Sequence, residues 1–321
     1  MDVLIYIVQN SLPVMVPLLL VALGGMFSER SGVINIALEG IMLVGAFAGT
    51  LCVYFVQGTN MGAQTILLIG MVVAGIIGAL YAILLGVAAV HLKADQTITG
   101  TALNMLVPAF MLLVCKMAFM SDGVTTNVKF YIQKIPVLGD IPVIGELFFC
   151  KTYASVGIGV VILMLSAFFF YKTKLGLRLR ACGEHPQAAD SVGINVYKMR
   201  YLGVILSGLL GGIGGFFYVV NIMDGNSNGH TGVAGFGFLA LAVMIFGQWK
   251  PLLIALAALF FAFLRTVAYS VPLIPFLANL GIDNAIYKML PYVATMIILA
   301  FTSKKSRAPK AEGIPYDKGS R

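Results

Sequence analysis

Charged residues are scarce in this chain of 321 residues, and their scarcity excludes an ordinary soluble protein. Only 11% of the residues are charged and 60% are hydrophobic, with a mean hydropathy of +0.96. Soluble domains carry about 25% charged residues. The apolar runs lack the polar alternation of an outer-membrane barrel, and many exceed the roughly 20 residues with which a helix crosses a bilayer. The composition therefore predicts an all-α, polytopic membrane protein.

Several residue patterns that carry chemistry are also missing. No Lys or Arg precedes Arg30, so the first apolar run lacks the positive segment of a cleaved signal peptide, and we expect it to be a retained span. The four cysteines are scattered without a Cys-x-x-Cys spacing, which indicates neither a disulfide framework nor a metal site. The three histidines lie far apart, and no Ser-His-Asp or paired-carboxylate arrangement suggests catalysis. We therefore expect a non-catalytic chain with no metal and no cofactor of its own.

The apolar runs predict nine transmembrane helices. They cover approximately residues 3–27, 33–56, 64–90, 97–117, 154–172, 201–221, 233–248, 250–271 and 285–302. If the C-terminus is cytoplasmic, nine spans place the N-terminus outside. This orientation puts 15 Lys and Arg on the inner side and five on the outer side, in agreement with the positive-inside tendency. The net charge of +8 therefore indicates topology, and we expect membrane lipid rather than nucleic acid as a partner.

Two hydrophilic regions flank or interrupt the predicted transmembrane domain, residues 1–302. The outer loop, about 118–152, contains two Pro turns and is expected to form a compact cap that connects spans or contacts an external partner. The tail 303–321 has too little apolar content to fold alone, and we predict a disordered, basic, cytoplasmic segment.

A third hydrophilic region, the central loop of about 173–200, is a basic island in an apolar protein. Pro186 suits the first turn of a short helix, and Gly193 suits the left-handed position after its end. The small residues between them permit close approach by another protein, although a solvated connecting loop explains the same composition. The candidate contact residues are Glu184, Pro186, Ala188, Ala189 and Gly193.

Polar residues within the spans indicate a path through the membrane. Asn35 and Glu39 are four residues apart and share a helix face, and a carboxylate near the bilayer centre is costly unless it faces protein or water. Asn104 and Asn221 are further candidates for the pathway. Structural hydrogen bonds between helices are the alternative for all four residues. Arg265 needs a partner from another helix, and Glu39 is a candidate.

Small residues recur every four positions in the span 201–221. This run is not a phosphate cradle because no Gly-Lys-Ser or Gly-Lys-Thr ending follows it. Stripes of small residues allow two helices to approach closely. The predicted packing residues are Ser207, Gly208, Gly211, Gly212 and Gly215.

The sequence resembles a family of ABC importer permeases. The spacing Ala188-Ala189-x-x-x-Gly193 is similar to the coupling-helix motif of such permeases, and segments 27–47, 94–104 and 234–251 are similar to permeases that serve lipoproteins of the basic-membrane-protein type. Those permeases import nucleosides and are related to branched-chain amino acid and ribose permeases. The resemblance covers most of residues 20–300, and the chain looks like the shorter of two paralogues.

The resemblance implies a type II importer fold and a set of partners. These are a paralogous permease that forms a heterodimer, an ABC ATPase that binds ATP and Mg²⁺, and an extracytoplasmic substrate-binding lipoprotein in a bacterial cytoplasmic membrane. The residues leave other functions open. An ion-coupled secondary transporter, a permease for a sugar such as ribose, and a membrane scaffold without transport activity are the alternatives.

Overall fold

The computed structural model describes residues 2–134, 150–223, 225–228, 235–271, 289–302 and 308–318, together with residues 233, 283, 286 and 287. The helices are α1 (Asp2–Glu29), α2 (Leu38–Val56), α3 (Ala63–Gly86), α4 (Gln96–Phe119), α5 (Ala154–Lys172), α6 (Lys174–Glu184), α7 (Pro186–Ser191), α8 (Val196–Ile222), α9 (Phe236–Phe246), α10 (Pro251–Tyr269) and α11 (Leu290–Thr302). The strands are β1 (Gly123–Thr125), β2 (Tyr131–Lys134), β3 (Cys150–Tyr153) and β4 (Asn226–Asn228).

The all-α membrane fold predicted from composition is confirmed. Within the described residues, seven helices are long and apolar enough to cross a membrane: α1 to α5, α8 and α10. Helix α9 has 11 residues and a length of about 16 Å, which is too short for a hydrocarbon core of about 30 Å. The predicted seventh span, 233–248, is therefore not a full crossing in its described part. The count of nine spans and the orientation stay predictions.

Helix α8 lies at the centre of the bundle, packed against α1, α2 and α3. A Cβ on Gly208 would lie 2.5 Å from the carbonyl oxygen of Gly78, and a Cβ on Gly212 would overlap the carbonyl oxygen of Ala74. The other stripe faces α2, where a Cβ on Gly215 would overlap the carbonyl oxygen of Met42. The small residues thus lie where backbones of adjacent helices touch.

The ends of the bundle differ in charge and structure. One end, called here the basic end, carries α6, α7 and those described lysines and arginines that the topology prediction places inside, among them Arg30, Lys93 and Arg200. The opposite end carries two small antiparallel sheets, β1 with β4 and β2 with β3. The centre of the predicted outer loop, 135–149, lies outside the described residues.

The C-terminal tail differs from the prediction of disorder. Residues 308–318, called here the strap, are ordered across the basic end, whereas residues 303–307 lie outside the described part of the chain. The Ala311 amide donates to the Gly183 carbonyl at 2.8 Å, and the Gly313 amide donates to the Gly32 carbonyl at 3.3 Å. The segment is too polar to fold alone, but it folds against a surface that satisfies its backbone.

Candidate functional site

A cavity of about 720 Å³ opens between α1, α8 and α10 at the end of the bundle opposite the loop 173–200. Aromatic and amide side chains dominate its polar wall, and the hairpin of β2 and β3 forms one edge. The relevant lining residues are the tyrosines Tyr6, Tyr131, Tyr153, Tyr218 and Tyr269, the amides Gln9, Asn10 and Asn221, and Arg265. This volume is within the range of about 300–1,000 Å³ that is usual for small-molecule sites.

Arg265 is held in the cavity wall by aromatic rings. Its guanidinium carbon lies 4.0 Å from the centroid of the Phe236 ring and 5.3 Å from that of Tyr269. No carboxylate of the described residues lies within 4.0 Å of it. The predicted ion pair between Arg265 and Glu39 is therefore wrong, because ring faces take the place of an anion.

Glu39 instead caps the first turn of α9. Its two carboxylate oxygens accept hydrogen bonds from the Gly235 amide at 2.8 Å and the Gly237 amide at 2.6 Å. The first amides of a helix lack partners within the helix, and its dipole favours negative charge at this end. A Cβ on Gly237 would approach the Glu39 Cα to 2.5 Å. Glu39 thus anchors the beginning of a short helix inside the bundle, where broken helix is tolerated only in contact with protein or water.

Two of the three candidate asparagines, Asn104 and Asn221, lie on helices, whereas Asn35 lies in the connection between α1 and α2. The predicted helix face shared by Asn35 and Glu39 is therefore wrong, because α2 begins only at Leu38. Asn35 donates to the Ser207 hydroxyl at 2.8 Å. Asn104 accepts from the Gly40 amide at 2.7 Å and donates to the Ile36 carbonyl at 2.8 Å. Each of these contacts crosses between elements far apart in sequence, as interhelical hydrogen bonds do.

Asn221 alone of the four predicted pathway residues lines the cavity. It accepts from the Ser155 hydroxyl at 2.8 Å and donates to the Pro13 carbonyl at 2.9 Å, so these bonds fix its orientation. The roles of Asn35, Glu39 and Asn104 in a pathway stay predictions. The cavity tyrosines, Gln9 and Asn10 were not identified from the sequence, since Tyr near the end of a span equally indicates an interfacial belt.

At the basic end, Pro186 occupies the first turn of α7, and Gly193 follows the helix with φ +82°. Ala189 is buried, whereas Ala188 and Val192 are exposed. Glu184 ends α6 rather than lying within the short helix, and it pairs with Arg30 at 3.4 Å. Helix α7 therefore presents one small, exposed face and is tied through α6 to the end of α1.

The strap packs beneath this loop. Tyr316 is buried against Cys182 and Ala189, and its hydroxyl is hydrogen-bonded to Asp190 on α7. The buried side chain of Arg200, near the beginning of α8, donates to the Ile314 carbonyl at 2.9 Å. The strap thus connects α7 with the beginning of the central helix α8.

A second group of strap contacts surrounds a carboxyl group. Burial raises the pKa of Glu312 to about 6. Glu29 and Arg30 are the charged groups that face it within the described residues, and Glu29 also accepts a hydrogen bond from the Trp249 indole. The strap therefore brings a titratable group to the contact between α1 and the segment that follows α9.

A family model of the branched-chain amino acid transport system permease component matches residues 7–300. The chain belongs to this permease family. It is 42% identical to the guanosine ABC transporter permease protein NupQ of Bacillus subtilis, over 100% of this chain and 99% of that protein. It is 40% identical to the nucleoside ABC transporter permease protein NupC of Lactococcus lactis, over 97% and 96% of the two chains.

The nucleoside ABC transporter permease protein NupB, also of Lactococcus lactis, is 25% identical over 97% of this chain and 85% of that protein. No solved structure matches the chain. The protein is thus a multi-pass permease subunit of an ABC transporter in the bacterial inner membrane. The resemblance to ABC importer permeases is therefore confirmed. Such subunits are transport components and not enzymes.

Proposed function

We propose that this permease imports nucleosides, moving them by alternating access from an extracytoplasmic binding lipoprotein to the cytoplasm. The observation that carries the proposal is the similarity, at 40–42% identity over nearly the whole chain, to two permeases whose names specify guanosine and nucleosides. The cavity supports it, because tyrosine rings and amide groups suit an uncharged cargo with a flat base and polar sugar.

The basic end faces the cytoplasm in this proposal, and α7 is the contact for an ABC ATPase. Ala188 and Val192 form an exposed surface without long side chains, which lets another protein approach closely. Movement of α7 would reach α1 through the pair Arg30–Glu184 and would reach α8 through the strap. The ATPase would bind ATP and Mg²⁺, and this chain would need no cofactor.

A paralogous permease completes the proposed complex. NupB and NupC are two different nucleoside permeases of one organism, and this chain is similar to both, which supports a heterodimer. Ion coupling is not favoured, because its two candidate residues already have partners. Glu39 accepts from backbone amides, and Arg265 lies on aromatic rings.

Uptake of labelled nucleosides by cells lacking this gene tests the proposed cargo. We expect loss of guanosine uptake, restoration by the wild-type gene, and no competition by excess ribose or leucine. Uptake should fail when ATP is depleted and persist when ion gradients alone are collapsed. Undiminished nucleoside uptake in the deletion strain, with no second importer present, would contradict the proposal.

The coupling contact has its own test. Ala188→Glu places a long charged side chain on the exposed face of α7, and we expect loss of ATPase co-purification and of transport with normal membrane insertion. Gly193→Val should act similarly, since φ +82° strains a β-branched residue. Thr97→Glu, an exposed position at the basic end, is the matched control. Full transport and co-purification in both loop variants would rule out docking at α7.

A further inference from the structure

The cavity near α1, α8 and α10 has the chemistry of a site for one particular class of base. Five tyrosines contribute to its wall, and no Asp or Glu is among the described residues that line it. Stacking of a nucleobase on an aromatic side chain is favourable for every base, because every base has a π-face. The rings therefore provide affinity for a base, and selectivity must come from the polar groups between them.

Arg265 is the one cation among these described lining residues. Its guanidinium carbon lies 4.0 Å from the centroid of the Phe236 ring and 5.3 Å from that of Tyr269, so its contacts on this side are with aromatic rings. A guanidinium has five N–H donors arranged around its edge and no acceptor. The rings are not carboxylates, and no carboxylate of the described residues lies within 4.0 Å of Arg265, so we expect N–H donors at this edge to be available to a ligand. The ligand that suits this edge presents two adjacent acceptors.

Purine nucleosides differ in the hydrogen-bonding atoms that they would present to Arg265. Guanine carries the acceptors O6 and N7 side by side, and arginine binds this pair with two parallel hydrogen bonds. Hypoxanthine, the base of inosine, has the same two atoms. Adenine presents N7 beside the N6 amino group, which is a donor and meets the arginine donors unfavourably. The position of Arg265 thus discriminates between purines by one exocyclic group.

We propose that this cavity binds nucleosides during transport and that Arg265 selects 6-oxopurines, guanosine and inosine, over adenosine. This proposal rests on the proposed nucleoside import and adds a selective binding site within the permease. Asn10 and Asn221 lie in the same wall. The Asn10 amide donates to the Tyr6 carbonyl, and Asn221 is held by Ser155 and Pro13. A side-chain amide has two N–H donors and two acceptor positions, so each keeps capacity for the ribose hydroxyls or the remaining base edge. Arg265 is a specificity residue in this account.

Membranes from cells that express the transporter without its binding lipoprotein allow direct measurement of binding to the permease. Labelled guanosine, inosine and adenosine are the probes. We expect wild-type membranes to prefer guanosine and inosine. Arg265→Met should weaken both about 5- to 150-fold and change adenosine binding little. Arg178→Met, which removes an exposed cation outside the cavity, is the matched control.

Arg265→Lys is a second variant that tests the same role if Arg265→Met does not fold. A lysine keeps the charge against Phe236 but cannot form the two parallel bonds, so it should also lose the preference for 6-oxopurines. Equal weakening of all three nucleosides, or an unchanged preference in both variants, would overturn the role of Arg265. Absence of binding to wild-type membranes that still import nucleosides in whole cells would overturn the site itself. Absence of nucleoside uptake by the complete wild-type system would instead refute the proposed function.

Discussion

Substitution of Glu39 should destabilise the folded protein, because its carboxylate supplies the hydrogen-bond acceptors that the amides at the beginning of α9 otherwise lack. It accepts two backbone amides of α9, from Gly235 and Gly237. A hydrogen bond to a charged group contributes about 1.5–3 kcal/mol. Glu39→Leu removes both acceptors and leaves the two amides unpaired within the bundle, so we expect a loss of about 3–6 kcal/mol. Glu39→Gln keeps one oxygen acceptor and should lose about half as much.

Asp95 offers a matched control for this experiment. Its carboxylate also caps a helix, accepting from the amides of Thr97 and Ile98 at 2.8 and 2.9 Å, but at an exposed position. Water can replace that cap, so Asp95→Leu should cost only about 0.5–2 kcal/mol. The assay is the midpoint of thermal unfolding of the detergent-solubilised protein, followed by size-exclusion chromatography. Equal midpoints for Glu39→Leu and Asp95→Leu would refute the capping role.

Three further predictions concern packing and the strap. Gly212→Ala should lower the midpoint of thermal unfolding, because the added Cβ would overlap the backbone of α3. Gly157→Ala should leave the midpoint unchanged, because a Cβ there would have no atom within 4 Å. Equal midpoints for the two variants would contradict this. Tyr316→Ala should release the strap, at a cost of about 3–5 kcal/mol for a large buried side chain, and should therefore speed tryptic cleavage after Lys310. Ile314→Ala is the control, because Ile314 is 56% exposed and its truncation should not change the cleavage rate. Unchanged cleavage in Tyr316→Ala would refute docking of the strap. Because burial raises the pKa of Glu312 from 4.5 to about 6, the docked strap binds more protons than the free strap, so its stability is greatest below pH 4.5 and falls as pH rises through 6. Hydrogen exchange across the strap, corrected for intrinsic rates, should therefore be faster at pH 7.5 than at pH 5, and a Glu312→Gln variant that keeps this pH dependence would contradict the assignment.

Local sequence patterns predicted several features of the loop 173–200. Pro186 begins a helix because its missing amide costs nothing there, and Gly193 adopts φ +82° where other residues are strained. These properties depend on a few neighbouring residues. The apolar runs likewise predicted the long helices, because length and hydropathy are sufficient for a span.

Contacts between distant segments could not be predicted in this way. The sequence shows an acidic residue, Glu39, within an apolar span. Its partners are backbone amides about 200 residues away, and no sequence pattern identifies which backbone amides a side chain contacts. Arg265 has no anion at helical spacing, so the sequence predicts a carboxylate from another helix, whereas its partners are the faces of Phe236 and Tyr269. The strap was missed because composition measures whether a segment folds alone, and Tyr316 folds against α7.

The most direct test of the account is guanosine uptake by cells whose only copy of this permease is wild type, Ala188→Glu or Thr97→Glu, at equal membrane levels. We expect ATP-dependent uptake with the wild type and with Thr97→Glu, and background uptake with Ala188→Glu. Wild-type rates in Ala188→Glu would contradict coupling through α7. Background uptake in all three strains, with the complete transporter present, would contradict nucleoside import by this permease.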